Sequence, residues 1–579
     1  MTMLTKWGAA LDRSYPLPEY PRPQLRRESF YNLNGVWDYA VTPSGEEPEV
    51  WDGEIVVPFS PEAPLSGAAR GPAKDEYLHY RRGFTLPEGF QKSRVLLHFG
   101  AVDQIAEVFV NGVSAAKHSG GYWPFSADIT SLLREGENIL RVTVRDNADD
   151  PTFAYGKQRY KRGGMWYTAQ SGIWQTVWLE SVPEVYVKSF RITPEFDEAR
   201  VRIELETALE SSTAITCDVR AADGSFVAGS WAKGGVCIVP LPGFRAWTPD
   251  DPYLYTLDIT CGEDRVESYF AMRKFSYVEL GGHKVFGLNN APLFHNGLLD
   301  QGYYPDGLLT PPSDEAMVND IETMKRCGFN MLRKHIKIEP LRWYYHCDRL
   351  GMIVWQDMVS GGQPYSFLHV SALPTLGKVD LPDQDAKPYG RSGVLSRARF
   401  RREMADTVRL LYNCPCIALW TVFNEGWGQF DALEMANELK KLDPTRFIDH
   451  ASGWQDQGYE EMKSRHIYFR PVKLKNDGRA LALTEYGGYI LAVDGHRWTD
   501  KVFGYRICRD SAALAHDYEK LMLGQVLPHI RKEGLTAAVY TQITDVEEEL
   551  NGLMTYDREV LKIPEETLRE INAALRFDA

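Results

Sequence analysis

The feature that most constrains this fold is a change of rhythm near Lys284. From there on, short apolar runs of strand length alternate with amphipathic stretches of helix length. Asp314 to Cys327 carries Met317, Ile321 and Met324 at helical spacing, and Gly328 ends it. Asn330 to Ile336 follows as a strand, Glu339 to Leu350 as a helix stopped by Gly351, and Met352 to Trp355 as a strand. Arg397 to Tyr412 reads as a helix and Ile417 to Phe423 as a strand. Further strands are expected at Phe447-Ile448, Ile467 to Phe469, Leu481 to Thr484 and Ala537 to Thr541, with a long helix at Asp510 to Glu533. With an early strand at Pro292 to Leu298, eight strands fall within about 300 residues, the spacing of a (β/α)8 TIM barrel. Ser360 to Gly393, after the third strand, is a long loop of the kind that carries function.

The part ahead of the barrel is β-rich. Arg94 to Phe99 and Ala106 to Val110 are strand-like, and Asn111-Gly112 is a type I′ hairpin signal. Glu137 to Val144 and Trp174 to Glu180 add strands, and together they argue a β-sandwich. A second β block, Val185 to Phe275, contains the strictly alternating Ala199 to Leu205 and has immunoglobulin-like size. The expected division is therefore 1–183, a jelly-roll β-sandwich of sugar-binding type; 184–276, an immunoglobulin-like sandwich; and 277–579, the barrel.

Composition excludes several functions. A net charge of −14 disfavours nucleic acid and anionic membranes as partners. Basic pairs such as Arg26-Arg27 and Arg401-Arg402 read as solvated surface. No run of about 18 apolar residues is present, and Met1 to Tyr15 lacks the apolar core of a signal peptide. The eight cysteines have no CxxC spacing and read as buried thiols in a reducing, cytoplasmic setting. No metal site is expected: Asp380, Asp383 and Asp385 lack the spacing of a Ca²⁺ loop and read as solvated acids.

In a TIM barrel the active site lies at the C-terminal strand ends. The fourth strand ends in Asn424-Glu425-Gly426 and the seventh in Thr484-Glu485-Tyr486-Gly487. A carboxylate after a buried apolar run is costly unless it points into the barrel mouth, although either glutamate alone could instead sit at a helix N-terminus. Two such groups across the barrel suit retaining glycoside hydrolysis. Arg333 and His335, at i and i+2 on the second strand, both face the barrel axis. Trp355, Trp420 and Trp427 lie at or near strand ends, where one could form a platform beneath a sugar ring, and Trp498 lies in the loop after the seventh strand.

Over nearly its whole length the chain resembles glycoside hydrolase family 2, the family of β-galactosidases, β-glucuronidases and β-mannosidases. The resemblance rests on Arg27 to Tyr39, Tyr80 to Phe84, Val108 to Gly112, Gly172 to Trp178, Lys325 to Lys334, Phe423 to Glu425 and Thr484 to Gly487. It implies that Glu425 is the acid/base, with a raised pKa, and Glu485 the nucleophile, aided by Arg333. It also implies that Asn424 bonds the substrate 2-hydroxyl. Tyr468, on the sixth strand, is a candidate phenol beside the nucleophile. Asp300 and Gln301, where the first strand ends, could bond sugar hydroxyls. Trp355-Gln356-Asp357 ends the third strand where the family has an Asp-Glu pair, which makes Asp357 a further candidate.

After the eighth strand, Asp545-Val-Glu-Glu-Glu-Leu-Asn551 holds four acids and no lysine. Those acids would repel a uronate, while Asp545 could bind sugar hydroxyls. The expected activity is exo-hydrolysis of a β-linked terminal sugar, a β-galactoside first. A galactofuranoside or arabinoside comes next, and a glucuronide or mannoside after these. No cofactor is required, although some family members use Mg²⁺ or Na⁺. The expected partner is a carbohydrate, and the expected assembly a homo-oligomer. The rival class is a carbohydrate-binding protein whose barrel has lost activity.

Overall fold

The computed structural model describes residues 3–209, 213–375 and 380–578. Its centre is one parallel sheet of eight strands: β1 (His295–Asp300), β2 (Met331–Lys334), β3 (Ile353–Asp357), β4 (Ile417–Thr421), β5 (Phe447–Asp449), β6 (Met462–Ile467), β7 (Ala480–Gly487) and β8 (Leu535–Thr541). The order is β5-β4-β3-β2-β1-β8-β7-β6, so the ladder runs round the barrel and opens only between β5 and β6. Side chains bridge that seam, with Ser464 Oγ 2.9 Å from Asp449 Oδ1 and 3.1 Å from Ala451 O. The sixth strand lies earlier in the chain than its apolar Ile467 to Phe469 run suggests. Lys463, Ser464 and Arg465 belong to it, so it shows little apolar character, and Tyr468 lies just past its end.

Helices α1 (Asp314–Arg326), α2 (Leu341–Leu350), α3 (Val394–Leu411), α4 (Ala432–Leu442), α5 (Ser511–Leu521), α6 (Leu527–Glu533) and α7 (Glu565–Ala573) surround the sheet. Ser313 caps α1 by accepting the Ala316 N–H at 3.2 Å, acids occupy its first turn, and Lys325 and Arg326 its last. The long helix expected at Asp510 to Glu533 is broken into α5 and α6 by a π-helical segment, Met522–Val526. Pro528 removes an N–H there, so the α ladder cannot run through unchanged. Among the described residues, the crossovers β5–β6 and β6–β7 carry no helix. No described helix is long and apolar enough to cross a membrane.

A hairpin of Phe275–Leu280 and His283–Leu288 floors the barrel. Its Phe286 stacks on Phe447 at 4.3 Å and meets Trp355 edge-on at 5.9 Å.

Ahead of it, a six-stranded sheet faces a four-stranded one over a core that includes Trp37, Tyr80, Val108, Val142 and Leu179. Asn111 and Gly112 turn the expected hairpin with φ of 52° and 82°, both left-handed as a type I′ turn requires. The second β block is a three-stranded sheet on a four-stranded one, with Val201, Val219, Leu257 and Ile259 between them. Arg26 is solvated, but Arg27 is not surface. Arg27 is buried between these two sandwiches, bonding Glu180 at 2.9 Å and Asp264 at 2.9 Å. The sequence hides this because both acids are more than 150 residues away. Arg401 and Arg402 lie on the outer surface of α3.

All eight cysteines are buried and none forms a disulfide. Asp383, expected to be solvated, is 1% exposed and accepts from Gln429 Nε2 at 3.0 Å and Ala432 N at 2.9 Å, where it holds the start of α4.

Candidate active site

β4 delivers Glu425 through Val422-Phe423-Asn424. Glu425 has φ 54°, a strained left-handed conformation for a residue with a Cβ, fixed by its N–H bonding Ser452 O at 2.9 Å. Glu485 lies within β7 and is 5% exposed. One carboxylate oxygen from each glutamate and one ring nitrogen of His466 all lie within 4.8 Å of one another.

Arg333 is the hub beneath them and is fully buried. It grips Asp357 with two parallel bonds of 2.9 and 3.1 Å, donates to Asn424 Oδ1 at 2.8 Å, and reaches Glu485 Oε1 at 3.2 Å. With Asn424 Oδ1 so engaged, its Nδ2 has no partner among the described residues and can donate to a ligand. His335 Nδ1 lies 2.7 Å from Asp357 Oδ2. Burial pushes the Asp357 carboxyl up, but Arg333 and His335 outweigh it and hold it at about 2. Tyr468 donates its hydroxyl to Glu485 Oε2 at 2.6 Å and stacks on Tyr505 at 3.9 Å. Burial, with Glu485 adding to it, keeps that phenol protonated far above the usual range.

Burial raises the Glu425 carboxyl above its ordinary value, against the opposing pull of Lys157, His335 and Arg333. Burial lowers His466 to about 3, so its ring is neutral. Its Nε2 faces Arg333 Nη1 at 3.5 Å, and a guanidinium can only donate. Nδ1 therefore carries the proton and donates to Glu425 Oε1 at 2.8 Å. That leaves Glu425 Oε2 as the oxygen that can carry an acidic proton toward a ligand.

The structure thus gathers Glu425, Glu485, Asn424, Arg333, His335, Asp357 and Tyr468 around one point. The other candidates are engaged by the protein itself. Trp355 is fully buried against the floor hairpin, its Nε1–H bonded to His295 at 3.1 Å, because its side chain points down the barrel from mid-strand. Asp300 is bonded to Lys334 at 2.6 Å and Gly302 N at 2.8 Å. Gln301 Nε2 bonds Gln542 at 2.9 Å. Asp545 is buried against Lys562 at 2.6 Å and Gly552 N at 2.9 Å, so it holds its own loop instead of a sugar. Trp427 packs edge-on against Trp166 at 5.0 Å on the side wall. Trp420 lies within the barrel's packing, bonded to Asp443 at 2.9 Å, and Trp498 sits under Arg162 at 4.2 Å.

Several residues at the site gave no readable signal. His466 lies in a strand hidden by its polar neighbours. Lys157, Trp166 and Tyr167 come from the first sandwich, whose segment 154–168 lies over the barrel mouth. Tyr155 N and Gly156 N bond Ser360 O at 3.1 and 2.9 Å in the long loop after β3. Thr168 N bonds Glu547 at 2.8 Å, Gly164 N bonds Glu548 at 2.9 Å, and the Tyr167 hydroxyl bonds Glu549. The acids after the eighth strand are therefore engaged in holding this segment or their own loop. Cations offset three of the four: Lys562 lies 2.6 Å from Asp545, Arg162 3.5 Å from Glu547 and Lys501 3.5 Å from Glu548.

Among the described residues, two groups carry metal-ligand atoms close together: Glu425, His466 and Glu485, and nearer the surface His496, Asp557 and Glu559. In the first, the candidate ligands are the two carboxylates themselves.

Three family models match the chain in series. "Glycosyl hydrolases family 2, sugar binding domain" matches residues 64–183, "Glycosyl hydrolases family 2" 185–273, and "Glycosyl hydrolases family 2, TIM barrel domain" 311–473. A β-galactosidase of Thermoanaerobacter pseudethanolicus is 25% identical over 387 residues, 63% of this chain and 47% of that one. The chain thus spans about half the length of that relative. A β-glucuronidase of Paenibacillus borealis is 22% identical over 536 residues, 82% of this chain and 85% of that one. A solved β-glucuronidase from an uncultured Clostridium species superposes with a TM-score of 0.73 at 19% identity, over 96% of this chain and 99% of that one, a likeness of fold.

Proposed function

The chain belongs to glycoside hydrolase family 2, and on that premise we propose that it is a retaining exo-β-glycosidase with Glu425 as acid/base and Glu485 as nucleophile. The observation that carries this reading is the approach of the two carboxylates. One oxygen of each lies within 4.8 Å of the other, in keeping with the roughly 5–5.5 Å between carboxyl groups in double displacement and short of the roughly 6.5–9.5 Å of inverting enzymes.

In the first step Glu485 attacks the anomeric carbon while Glu425 Oε2 protonates the leaving oxygen. Burial favours that proton beforehand. Tyr468 and Arg333 hold the Glu485 oxygens for attack, and Asn424, oriented by Arg333, donates through Nδ2 to the sugar 2-hydroxyl. In the second step Glu425, now a carboxylate, takes a proton from water, which opens the glycosyl-enzyme bond.

The glycone we propose is a β-galactoside. A β-uronide is the second reading, supported by the cations that offset three of the four acids after β8. A panel of p-nitrophenyl glycosides, with the product anomer followed by NMR, tests both readings. Release of the inverted anomer, or unchanged turnover in Glu485→Gln, would overturn the mechanism. Preference for the glucuronide or galacturonide would replace the first sugar by the second.

A further inference from the structure

Outside the candidate active site, His496, Asp557 and Glu559 bring three metal-ligand atoms within 4.8 Å of one another. His496 Nδ1 lies 2.8 Å from Asp557 Oδ2 and 3.8 Å from Glu559 Oε2. Tetrahedral zinc with bonds of about 2.0–2.1 Å holds its ligand atoms roughly 3.3 Å apart, so the two spacings bracket what the ion requires. The residues come from two loops, His496 from the one after β7 and the two acids from the one after β8.

Charge separates this group from Glu425, His466 and Glu485. There Arg333 lies 3.2 Å from Glu485 and supplies a counter-charge. Here, among the described residues, no lysine or arginine nitrogen lies within 4.0 Å of either acid. Arg558, between the two acids in sequence, turns away to Asp320 at 3.2 Å. Two carboxylates around one imidazole leave negative charge unbalanced, which favours a cation.

The ligand atoms are also held ready. Asp557 Oδ1 accepts the Thr555 hydroxyl at 2.6 Å and the Glu559 N–H at 3.2 Å, which leaves Oδ2 for an ion. The His496 N–H donates to Val493 O at 3.1 Å and fixes the backbone there. Its Nε2 has no protein partner among the described residues and can carry the ring proton when Nδ1 binds metal. The Asp557 side chain is buried, whereas those of His496 and Glu559 are 25% and 54% exposed, so an ion can enter and keep a water as fourth ligand. One imidazole with two carboxylates suits zinc better than calcium or magnesium, which take oxygen.

We propose that His496 Nδ1, Asp557 Oδ2 and Glu559 Oε2 form a zinc site that clamps the loop after β7 to the loop after β8. Trp498, two residues on, lies under Arg162 of the segment over the barrel mouth at 4.2 Å, so the clamp steadies one attachment of that segment. Local sequence hides the site, because His496 and Asp557 are 61 residues apart.

The test strips the full-length protein with a chelator and titrates wild type, His496→Gln, Glu559→Gln and Glu485→Gln with zinc chloride against a chromophoric zinc chelator. Melting temperatures are recorded with and without metal. Wild type and Glu485→Gln should each bind one zinc ion per chain with equal affinity. His496→Gln and Glu559→Gln, each short of one ligand, should bind at least about 10-fold more weakly. Zinc should raise the melting temperature of wild type in step with its free concentration and leave those two variants nearly unmoved. Without metal, both should match wild type in turnover, since neither residue belongs to the candidate active site.

Loss of zinc in Glu485→Gln with retention in His496→Gln would put the ion between the two candidate catalytic carboxylates and overturn the proposal. So would affinity unchanged in both loop variants, or no saturable zinc binding by wild type. Calcium bound as tightly as zinc would do the same, because an imidazole ligand disfavours it.

Discussion

Arg333 and Asp357 meet fork to fork beneath the two candidate glutamates, Nε to Oδ1 at 2.9 Å and Nη2 to Oδ2 at 3.1 Å, with neither side chain more than 1% exposed. The same guanidinium orients Asn424 and reaches Glu485, so one residue sets the geometry of three others. Removing it leaves a buried aspartate without its counter-charge. Arg333→Ala should destabilise the barrel by about 3–5 kcal/mol, the usual cost of breaking a buried pair from one side. Arg333→Lys should keep a positive charge but lose the fork, lowering kcat/KM with a smaller fall in stability. Chemical denaturation and turnover on one substrate measure both. Equal stability of Arg333→Ala and wild type would mean that Asp357 finds another partner.

The legible part of this site was the part set by strand ends. Glu425 and Glu485 follow apolar runs, and Arg333 and His335 share a face by simple alternation, so local pattern sufficed for all four. Asp300 and Asp545 have the same local signature, yet each is tied to a lysine at 2.6 Å. Nothing local to Asp300 says that Lys334 will bond it. Trp355 failed for a related reason: a mid-strand tryptophan can point up or down the barrel, and Phe286 of the floor hairpin decided it. Lys157 and Trp166 were out of reach because they belong to a different domain, and their placement depends on contacts with Ser360 and Glu547 far along the chain.

Tyr468 offers a finer test of the nucleophile. Its phenol donates to Glu485 Oε2 at 2.6 Å and stays protonated, so it can hold that oxygen as carboxylate and follow it as the bond to sugar forms. Tyr468→Phe keeps the stack on Tyr505 and removes only the donor. Hydrogen bonds to charged groups are worth about 1.5–3 kcal/mol, so kcat should fall roughly 10- to 100-fold. A fall in melting temperature with kcat unchanged would assign the phenol to packing.

Glu425 should reveal itself through the leaving group. Glu425→Gln cannot donate its proton, and general acid catalysis is worth about 10²–10⁴ in rate. The first step on p-nitrophenyl glycosides should suffer accordingly, whereas a 2,4-dinitrophenyl glycoside, whose phenolate departs unaided, should still glycosylate Glu485. Pre-steady-state release of dinitrophenol measures this. Equal losses on both substrates would show that Glu425 is not the acid.

A pH-dependent prediction lies away from the site, at Glu403 on α3. This residue is 8% exposed beneath the first sandwich, with Trp123 bonding Thr407 one turn along at 3.1 Å. Burial raises its carboxyl to about 8, Arg399 and Arg391 opposing, against an ordinary value of 4.5. The folded protein therefore keeps this proton where the unfolded chain releases it. Stability from this group is fully present below about pH 4.5 and is lost as pH rises toward 8, at up to ~1.4 kcal/mol per pH unit. Glu403→Gln preserves the neutral shape and abolishes the titration. Wild type and variant should unfold at similar temperatures at pH 4.5, and the variant should be the more stable at pH 8.5. Parallel curves of melting temperature against pH would mean that Glu403 ionises in the folded protein as readily as in the unfolded chain.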